Sequence, residues 1–535
     1  MKIENSILNY FPDAFTPREH QTTGLQQIYE AINSGEKFII VQAPTGSGKS
    51  FFSKTLANAT ATANLEYKKL VETYQAYSEE YEGVFDNFKA HGAFALTTTK
   101  ALQNQYKELF NESVVFKGKT NYQCEVDTDF TVEHAPCVIS SKLKKKCWDE
   151  CVCPYYETRN EALVSRFSVL NYASFFNLPA HLKKRQIIIC DECSELEDEI
   201  IKNYSTVVNY KQLSFLGVEV EKLKTEDPKK VIGWLGDVHF AVKNSAEQFN
   251  GRARFEKNKI ELTKQQQRKD LAESISQTLN HWDDAQYIIE KDAEKVSITP
   301  FKIDKLTSCL FNYADVVVLM SATIVDKDIF AKNLGITKFK YIEIPSTFDA
   351  KKSPVYCHTK YPLSYKTIDT NLPKIIDLIE KICENHKGEK GIIHTHSFAI
   401  TQAIQNRLNG KRFLYREEGT NNESIVREHN LRTDDTVLVS PSLTMGLDLK
   451  GDLGKWQIIV KLPYPSLANK RVKMLFEKDP GWYKMKMFIS LIQAAGRCTR
   501  TKEDESVTYI LDGLSGKTII ENRSILPGHF LARIM

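Results

Sequence analysis

Residues Ala43 to Ser50 read APTGSGKS, and they lie between two stretches of different character. Phe38 to Val41 form a short apolar run of β-forming residues, whereas the FFSKTLANA that follows is compatible with a helix. In a strand, glycine loop and helix arranged in this order, loop N–H groups turn inward on a phosphate, and the helix start adds free amides and the positive end of its dipole. The stretch therefore predicts a nucleoside triphosphate site in an α/β fold.

The polar groups of this loop have separate expected roles. The Lys49 ammonium is expected to reach the β- and γ-phosphates, and the Ser50 hydroxyl is expected to hold Mg²⁺. The backbone expected to surround the phosphates comprises Thr45, Gly46, Ser47 and Gly48.

A second apolar strand ends in two adjacent carboxylates. The stretch QIIICDECSELED runs from Gln186 to Asp198, and a strand end of this kind in an α/β sheet points to the ligand crevice. Asp191 is expected to bind Mg²⁺, directly or through water, and Glu192 to orient and deprotonate the attacking water. Alone, such a strand end could equally be a solvated loop; the preceding phosphate loop favours the catalytic interpretation.

Five of the eleven cysteines lie in one polar, lysine-rich segment from Cys124 to Cys153. Four thiolates can hold a [4Fe–4S] cluster or a tetrahedral zinc ion, and clustering indicates a metal site rather than disulfides. Buried free thiols are the alternative. The spacing differs from that of paired C-x-x-C zinc ribbons and does not decide which cysteines are ligands. The five are Cys124, Cys137, Cys147, Cys151 and Cys153.

Composition and charge limit the classes of protein to consider. The chain has 535 residues, of which 42% are hydrophobic and 26% charged, so it has room for about three or four domains. Its formal net charge is only +4, so we expect nucleic-acid contacts to be confined to a local groove. Met1 to Phe15 lacks a cationic segment followed by an apolar core, and no run approaches the roughly 18 apolar residues of a membrane span. We therefore expect no membrane contact and a cytoplasmic location.

The second half of the chain predicts a helical insertion and a further parallel sheet. Polar sequence with helical spacing extends from Ile201 to about Thr299, and an apolar strand follows from Ala314 to Ile324. Strands and helices then alternate, which is typical of a parallel sheet. Strands are predicted at Gly391–His394, Phe413–Tyr415, Thr436–Val439 and Gln457–Val460.

Three groups of polar residues each allow two interpretations. Gln21, near a helix start, could bind the adenine edge or be solvated. Thr97 to Thr99 follow a strand and suit either phosphate contacts or helix N-capping. Arg497 and Arg500 would share a face on a helix and could reach one phosphate, or they could form a solvated surface.

The ordered series of motifs resembles the superfamily 2 helicases, and within them the XPD/DinG-like iron–sulfur helicases, over nearly the full length. The series is FTPREHQ, APTGSGKS, TTTKALQNQ, GKTNYQC, CPYY, DECS, LMSATI, GIIHTHS, MGLDLKGD and QAAGRCTR. The resemblance implies two RecA-like parallel-sheet motor domains with ATP between them, an inserted cysteine-rich Fe–S domain and an inserted helical arch domain. The implied bounds are 1–116, 157–203 and 300–344 for motor domain 1, 117–156 for the Fe–S domain, 204–299 for the arch and 345–535 for motor domain 2.

The resemblance also implies roles for individual residues. Gln21 matches the nucleotide-recognition glutamine, and Asp448 matches a motif that couples nucleotide to DNA. The DECS motif departs from the family's DEAH, since Cys193 and Ser194 replace its alanine and histidine. The residues that match the motif closing on the γ-phosphate are Gln493, Arg497 and Arg500. The implied cluster ligands are Cys124, Cys137, Cys147 and Cys153, with Cys151 as the spare.

The resemblance implies an ATP-dependent DNA helicase that moves 5′ to 3′ on single-stranded DNA and unwinds duplexes in replication or repair. Its cofactors would be ATP, Mg²⁺ and a [4Fe–4S] cluster, and its partners single-stranded, forked or duplex DNA, bound by a monomer in a bacterium or a phage-infected cell. One alternative is a translocase that removes proteins or RNA–DNA hybrids. Another is an ATP-binding nucleic-acid clamp with a metal sensor site.

Overall fold

The structure, a computed structural model, describes residues 1–73, 82–85, 88–138, 140–150, 153–249, 259–420, 422–441, 451–499 and 502–535. Its strands are β1 (Phe38–Gln42), β2 (Ala93–Thr97), β3 (Val114–Phe116), β4 (Phe167–Asn171), β5 (Arg185–Asp191), β6 (Thr206–Asn209), β7 (Tyr287–Lys291), β8 (Lys295–Pro300), β9 (Ala314–Ser321), β10 (Lys340–Glu343), β11 (Val355–Cys357), β12 (Gly391–His394), β13 (Phe413–Tyr415), β14 (Val437–Ser440), β15 (Trp456–Ile459) and β16 (Val507–Ile510).

The residues that the structure describes also form 22 α-helices. They are α1 (Glu19–Asn33), α2 (Lys49–Asn58), α3 (Leu65–Thr73), α4 (Glu82–Phe85), α5 (Lys100–Leu109), α6 (Ser141–Asp149), α7 (Pro154–Val164), α8 (Tyr172–Phe176), α9 (Leu196–Tyr204), α10 (Tyr210–Phe215), α11 (Pro228–Phe249), α12 (Lys259–Asn280), α13 (Trp282–Ala285), α14 (Ser308–Phe311), α15 (Lys327–Asn333), α16 (Ile368–Asn385), α17 (Phe398–Gln405), α18 (Glu423–Leu431), α19 (Lys470–Lys478), α20 (Pro480–Ala495), α21 (Ser515–Glu521) and α22 (Gly528–Leu531).

The chain divides into two compact units. The first comprises residues 1–41, 49–320 and 331–342, and the second comprises residues 42–48, 321–330 and 343–535. Each unit is built around its own α/β sheet. The expected fold class, with two parallel sheets of the RecA-like type and inserted segments between their elements, is confirmed.

The first sheet has seven strands in the order β10-β1-β9-β5-β2-β4-β3. From β9 to β3, neighbouring strands pair in parallel. All five residues of β2 are buried, as expected for a strand covered on both faces. The carboxyl ends of β2 and β5 therefore lie at one edge of the sheet, where Thr97 and Asp191 are found.

The second sheet has six strands in the order β11-β16-β15-β12-β14-β13, and every neighbouring pair is parallel. Its four strands predicted from apolar runs are observed within one residue of the expected bounds. The amphipathic helix α16 buries Ile375 and Ile379 in the core beneath this sheet, together with Trp456 of β15.

The segment expected to be helical is only partly so. Helices α11 and α12 pack on a shared apolar core, in which Leu271 and Ile275 of α12 are buried. The same segment also contains a three-stranded antiparallel sheet, β6-β8-β7, which the prediction of a helical insertion did not include. The cause is the separation along the chain: Thr206 pairs with Ile298, and a short strand whose partner lies so far away leaves little local signal.

The cysteine-rich segment has little regular structure before α6. Short 3-10 turns lie at Lys119–Asn121, Val132–His134 and Pro136–Val138. Cys124 and Phe130 pack in a small core with Leu262 of α12, so the helical insertion contacts this segment.

Among the helices of the described residues, none combines the length and the apolar character needed to span a bilayer.

Candidate active site

The glycine loop lies between β1 and α2, as the sequence predicts. Gly46 and Gly48 have φ values of +78° and +86°, a left-handed conformation that glycine adopts without strain. A Cβ atom at Gly46 would also lie 2.5 Å from Cζ of Phe348. Both observations exclude a larger residue at Gly46. Ala43 occupies the first glycine position of the usual G-x-x-x-x-G-K-S pattern, and it is fully buried.

Lys49, the first residue of α2, forms an ion pair with Glu192. Its Nζ lies 3.0 Å from Oε1 of Glu192, and both side chains are mostly shielded from solvent, with 14% and 26% exposure. The phosphate loop and the acidic strand end, separated by more than a hundred residues in the chain, are therefore in contact. This places the predicted phosphate-binding cation beside the predicted catalytic base.

Asp191 is almost fully buried at the end of β5, and hydrogen bonds hold both of its carboxylate oxygens. The Tyr106 hydroxyl donates to Oδ2 at 3.0 Å, and the backbone N–H of Glu192 donates to Oδ1 at 3.0 Å. Burial raises the pKa of Asp191 to about 6, and the positive charge of Lys49 opposes this rise. The site thus holds a carboxylate that a divalent cation would stabilise in its charged form.

The residue after Asp191 has an unusual backbone. Glu192 lies in the left-handed region, with φ 51° and ψ 47°, which costs a non-glycine residue about 1 kcal/mol or more. Cys193 and Ser194, which stand in place of alanine and histidine in the resembled motif, are both buried. The turn after β5 thus directs the Glu192 side chain to Lys49 while the following two residues pack inward.

The two open interpretations in the first unit have different outcomes. Gln21 is buried rather than solvated, and its Oε1 accepts a hydrogen bond from the Arg18 backbone N–H at 2.9 Å. Thr99 is the N-cap of α5, where its hydroxyl accepts from the Leu102 N–H at 3.3 Å. The capping interpretation of Thr99 is therefore observed, whereas the adenine contact of Gln21 stays a prediction.

In the second unit, helix α20 carries Gln493 and ends at Ala495, so Arg497 lies in the turn that follows. Gly496 is the C-cap of this helix, so Arg497 lies just beyond the helical arrangement in which Arg497 and Arg500 would share a face. Arg497 lies near the buried His394 at the end of β12, whose pKa burial lowers to about 3. Two other predicted site residues, Arg500 and Asp448, lie outside the described residues.

The four cysteines implied as cluster ligands are near one another. Burial and, after it, the neighbouring thiols of Cys147, Cys153 and Cys124 together raise the pKa of Cys137 to about 11. Cys124 and Cys153 also raise the pKa of Cys147, after burial. Each of the four therefore lies within electrostatic reach of others in the set. The spare, Cys151, is outside the described residues.

The chemistry of the four thiols is compatible with a thiolate-ligated group, because thiolates hold both zinc ions and [4Fe–4S] clusters. Within the described part of the chain, no three His, Cys, Asp or Glu side chains are arranged to hold one metal ion.

The residue that sequence reasoning missed is Tyr106. It lies on the buried face of α5, 1% exposed, and its hydroxyl contacts Asp191. In the segment TTTKALQNQY, only the threonines were considered from the sequence. The one sequence feature that indicates a buried Tyr106 is its position about one helical turn after Gln103, which is also buried.

Comparisons with known proteins agree with this geometry. A model described as a helicase C-terminal domain matches residues 379–523, and one described as Type III restriction enzyme, res subunit, matches residues 14–218. The ATP-dependent DNA helicase XPD of Sulfolobus acidocaldarius is 21% identical over 531 residues, which cover 89% of this chain and 92% of that protein.

Solved structures extend the comparison to the fold. An XPD helicase structure matches with a TM-score of 0.63 at 16% identity, covering 97% of this chain and 99% of the other. An apo XPD structure matches with a TM-score of 0.58 at 16% identity, covering 96% and 99%, and S. tokodaii Xpd4 with 0.55 at 14% identity, covering 96% and 99%. The resemblance to XPD-like helicases is therefore confirmed in sequence and in fold.

Proposed function

We propose that the chain is a DNA helicase that moves 5′ to 3′ on single-stranded DNA, unwinds duplex DNA and carries a [4Fe–4S] cluster. The observation that supports the finer assignment is the group of four mutually near thiols inserted in the first unit of an XPD-like fold. Replication or repair would be the setting, with the protein acting as a cytoplasmic monomer on single-stranded and forked DNA.

The proposed hydrolysis uses the residues gathered at the end of β5. Lys49 would leave Glu192 to bind the β- and γ-phosphates, and Ser50 and Asp191 are the residues that would hold Mg²⁺. Glu192 would then accept a proton from the attacking water. Detachment of Lys49 frees the carboxylate that serves as the base. Mg²⁺ would supply charge neutralisation of the phosphates. The backbone of Thr45, Gly46, Ser47 and Gly48 would surround the phosphates.

The remaining assignments are proposals of the same kind. Gln21 would recognise the base, and Asp448 would couple nucleotide to DNA. Arg497 and Arg500 would supply the positive charge that stabilises the γ-phosphoryl group during transfer, and Gln493 would belong to the same motif. The proposed domain bounds are 1–116, 157–203 and 300–344 for motor domain 1, 117–156 for the Fe–S domain, 204–299 for the arch and 345–535 for motor domain 2.

The proposed cluster ligands are Cys124, Cys137, Cys147 and Cys153. Cys153 directly precedes α7. Burial raises the pKa of its thiol, and the backbone N–H groups of Tyr156 and Tyr155 partly oppose this rise. When bound, the cluster would act as a rigid structural element of the segment between β3 and β4. The local lysines, including Lys144, would remain available to phosphate groups.

The cluster is tested by an anaerobic absorbance spectrum with iron and zinc analysis. The wild type is expected to show a broad thiolate-to-iron band and about four irons per chain, and Cys153→Ser to lose colour. Cys357→Ser is the matched control, because Cys357 is a half-buried free thiol on β11, far from this segment in the chain. Stoichiometric zinc, or equal colour in Cys153→Ser, would refute the assignment.

A strand-displacement assay tests the direction of movement along single-stranded DNA and the kind of duplex that is unwound. Forks with only a 5′ or only a 3′ single-stranded tail are compared, with DNA–DNA and RNA–DNA duplexes of one sequence. Unwinding that requires the 5′ tail supports the proposal. Displacement of bound proteins or of RNA–DNA hybrids alone would favour the translocase alternative, and ATP binding without DNA-stimulated phosphate release would favour the clamp.

A further inference from the structure

Tyr106 is a buried phenol in contact with two parts of the candidate nucleotide site in the first unit, the start of α2 and the end of β5. Its hydroxyl donates to Oδ2 of Asp191 at 3.0 Å. The Ser53 hydroxyl lies 2.9 Å from the same phenolic oxygen, and the Ser50 hydroxyl also interacts with it. Ser50 and Asp191 are the two side chains proposed to hold Mg²⁺, so one hydroxyl reaches both.

The direction of the hydrogen bonds follows from the chemistry of the groups. An ionised carboxylate only accepts, so the single phenolic proton of Tyr106 is committed to Asp191. In a hydrogen bond between Ser53 and Tyr106, Ser53 is then the donor, and the same hydroxyl proton is shared with the main-chain oxygen of Lys49, 3.2 Å away. The result is a chain of hydrogen bonds from α2 through Tyr106 of α5 to the end of β5.

This chain fixes the orientation of the Asp191 carboxylate. Tyr106 holds one oxygen and the Glu192 N–H holds the other, so the carboxylate plane is constrained from both sides. Hydrogen bonds to a ligating carboxylate orient it for the metal, and their loss typically lowers metal affinity about 10- to 100-fold. A buried carboxylate without such partners would also pay its full desolvation cost.

We propose that Tyr106 is a positioning residue for the nucleotide-bound Mg²⁺, which it serves by orienting Asp191 and by linking that carboxylate to α2. This inference rests on the proposed roles of Ser50 and Asp191. Tyr106 contacts the metal ligands and not the nucleotide, so it controls the metal dependence of nucleotide binding rather than binding in the absence of metal.

Packing alone gives Tyr106 a second reason to be buried, and a conservative variant separates the two. Its ring lies edge-on to Phe167, with centroids 5.9 Å apart. Tyr106→Phe retains this ring contact and removes only the hydroxyl. A purely structural role would therefore change the melting temperature and leave the response to Mg²⁺ unchanged.

The experiment measures binding of a fluorescent, non-hydrolysable ATP analogue to the full chain across a Mg²⁺ titration. In Tyr106→Phe, the Mg²⁺ concentration for half-maximal enhancement is expected to rise about tenfold, whereas binding in EDTA stays unchanged. Ser53→Ala, which removes the donor to the phenol, is expected to shift it in the same direction by less. It provides the answer if Tyr106→Phe does not fold.

Tyr172→Phe is the matched control. Its hydroxyl is also buried, and it donates to Asp191 at 3.1 Å, but the acceptor is the main-chain oxygen. It is expected to lose stability without a shift in Mg²⁺ dependence. An unchanged titration for Tyr106→Phe or Ser53→Ala, or an equal shift in Tyr172→Phe, would overturn the inference. Wild type without any Mg²⁺-dependent binding would overturn the proposed nucleotide site as well.

Discussion

Replacing Glu192 by glutamine should have opposite effects on nucleotide binding and on turnover. In the structure, Lys49 Nζ is held 3.0 Å from the Glu192 carboxylate. Binding of a triphosphate requires Lys49 to leave this partner. Glu192→Gln removes the competing charge, so the lysine becomes available to the phosphates at lower cost, while the catalytic base is lost.

The size of the effect follows from the ion pair. Coulomb attraction across 3.0 Å is about 1.4 kcal/mol at the dielectric constant of water and about 5.5 kcal/mol at an effective value of 20. Since both side chains remain partly exposed and ordering them has an entropic cost, we take about 1–2 kcal/mol. Nucleotide affinity should therefore increase about 5- to 30-fold, and turnover should fall at least about 100-fold.

The assay combines equilibrium binding of a non-hydrolysable ATP analogue with steady-state phosphate release in the presence of single-stranded DNA. Glu199→Gln, a half-buried carboxylate on the adjoining helix α9, is the matched control and should change neither quantity. Unchanged or weaker analogue binding by Glu192→Gln would refute the idea that Lys49 must be taken from Glu192.

Two further predictions concern stability, both measured by urea unfolding. Gly391→Ala should destabilise the second unit by about 3 kcal/mol, because the new Cβ would lie 2.1 Å from the buried Trp456 ring. The control is Gly236→Ala on α11, where a new Cβ would have no atom within 4 Å, and it should stabilise the protein by about 0.5–1 kcal/mol. Equal effects of the two substitutions would contradict this prediction. Burial and then Arg185 lower the pKa of His91 to about 4. Below pH 6.5 the unfolded chain binds a proton at His91 that the folded chain does not, so the free energy of unfolding should fall towards pH 4, by roughly 2 kcal/mol at pH 5. His91→Asn should weaken this pH dependence. An unchanged slope of the free energy of unfolding against pH in the variant would contradict the prediction.

Local patterns were sufficient for the strands and loops that carry the phosphate site. Phe38–Val41 and Ile187–Cys190 are continuous apolar runs within β1 and β5, and a buried parallel strand needs no partner-specific signal to be recognised. The glycines of the loop are required by backbone conformation, which is a property of the residues themselves. The sequence also indicated that the thiols between Cys124 and Cys153 form one group.

The ends of two elements agree with small or polar residues in the sequence. Strand β9 ends at Ser321, the first of the residues Ser321, Ala322 and Thr323 at which its end is predicted. Helix α20 ends before Arg497, and Gly496 is its C-cap. Roles that the resemblance implies for Gln493 and Arg497 stay predictions.

The sequence by itself determined the α/β class, the order of the motor motifs and the residues able to bind phosphate, because these depend on neighbours in the chain. Only the tertiary structure decided that Lys49 faces Glu192, that Tyr106 holds Asp191 from 85 positions away, and that β6 pairs with β8. Such contacts depend on which helix faces pack against which strand ends. That choice is made by burial of the whole core, so no short stretch of sequence contains it.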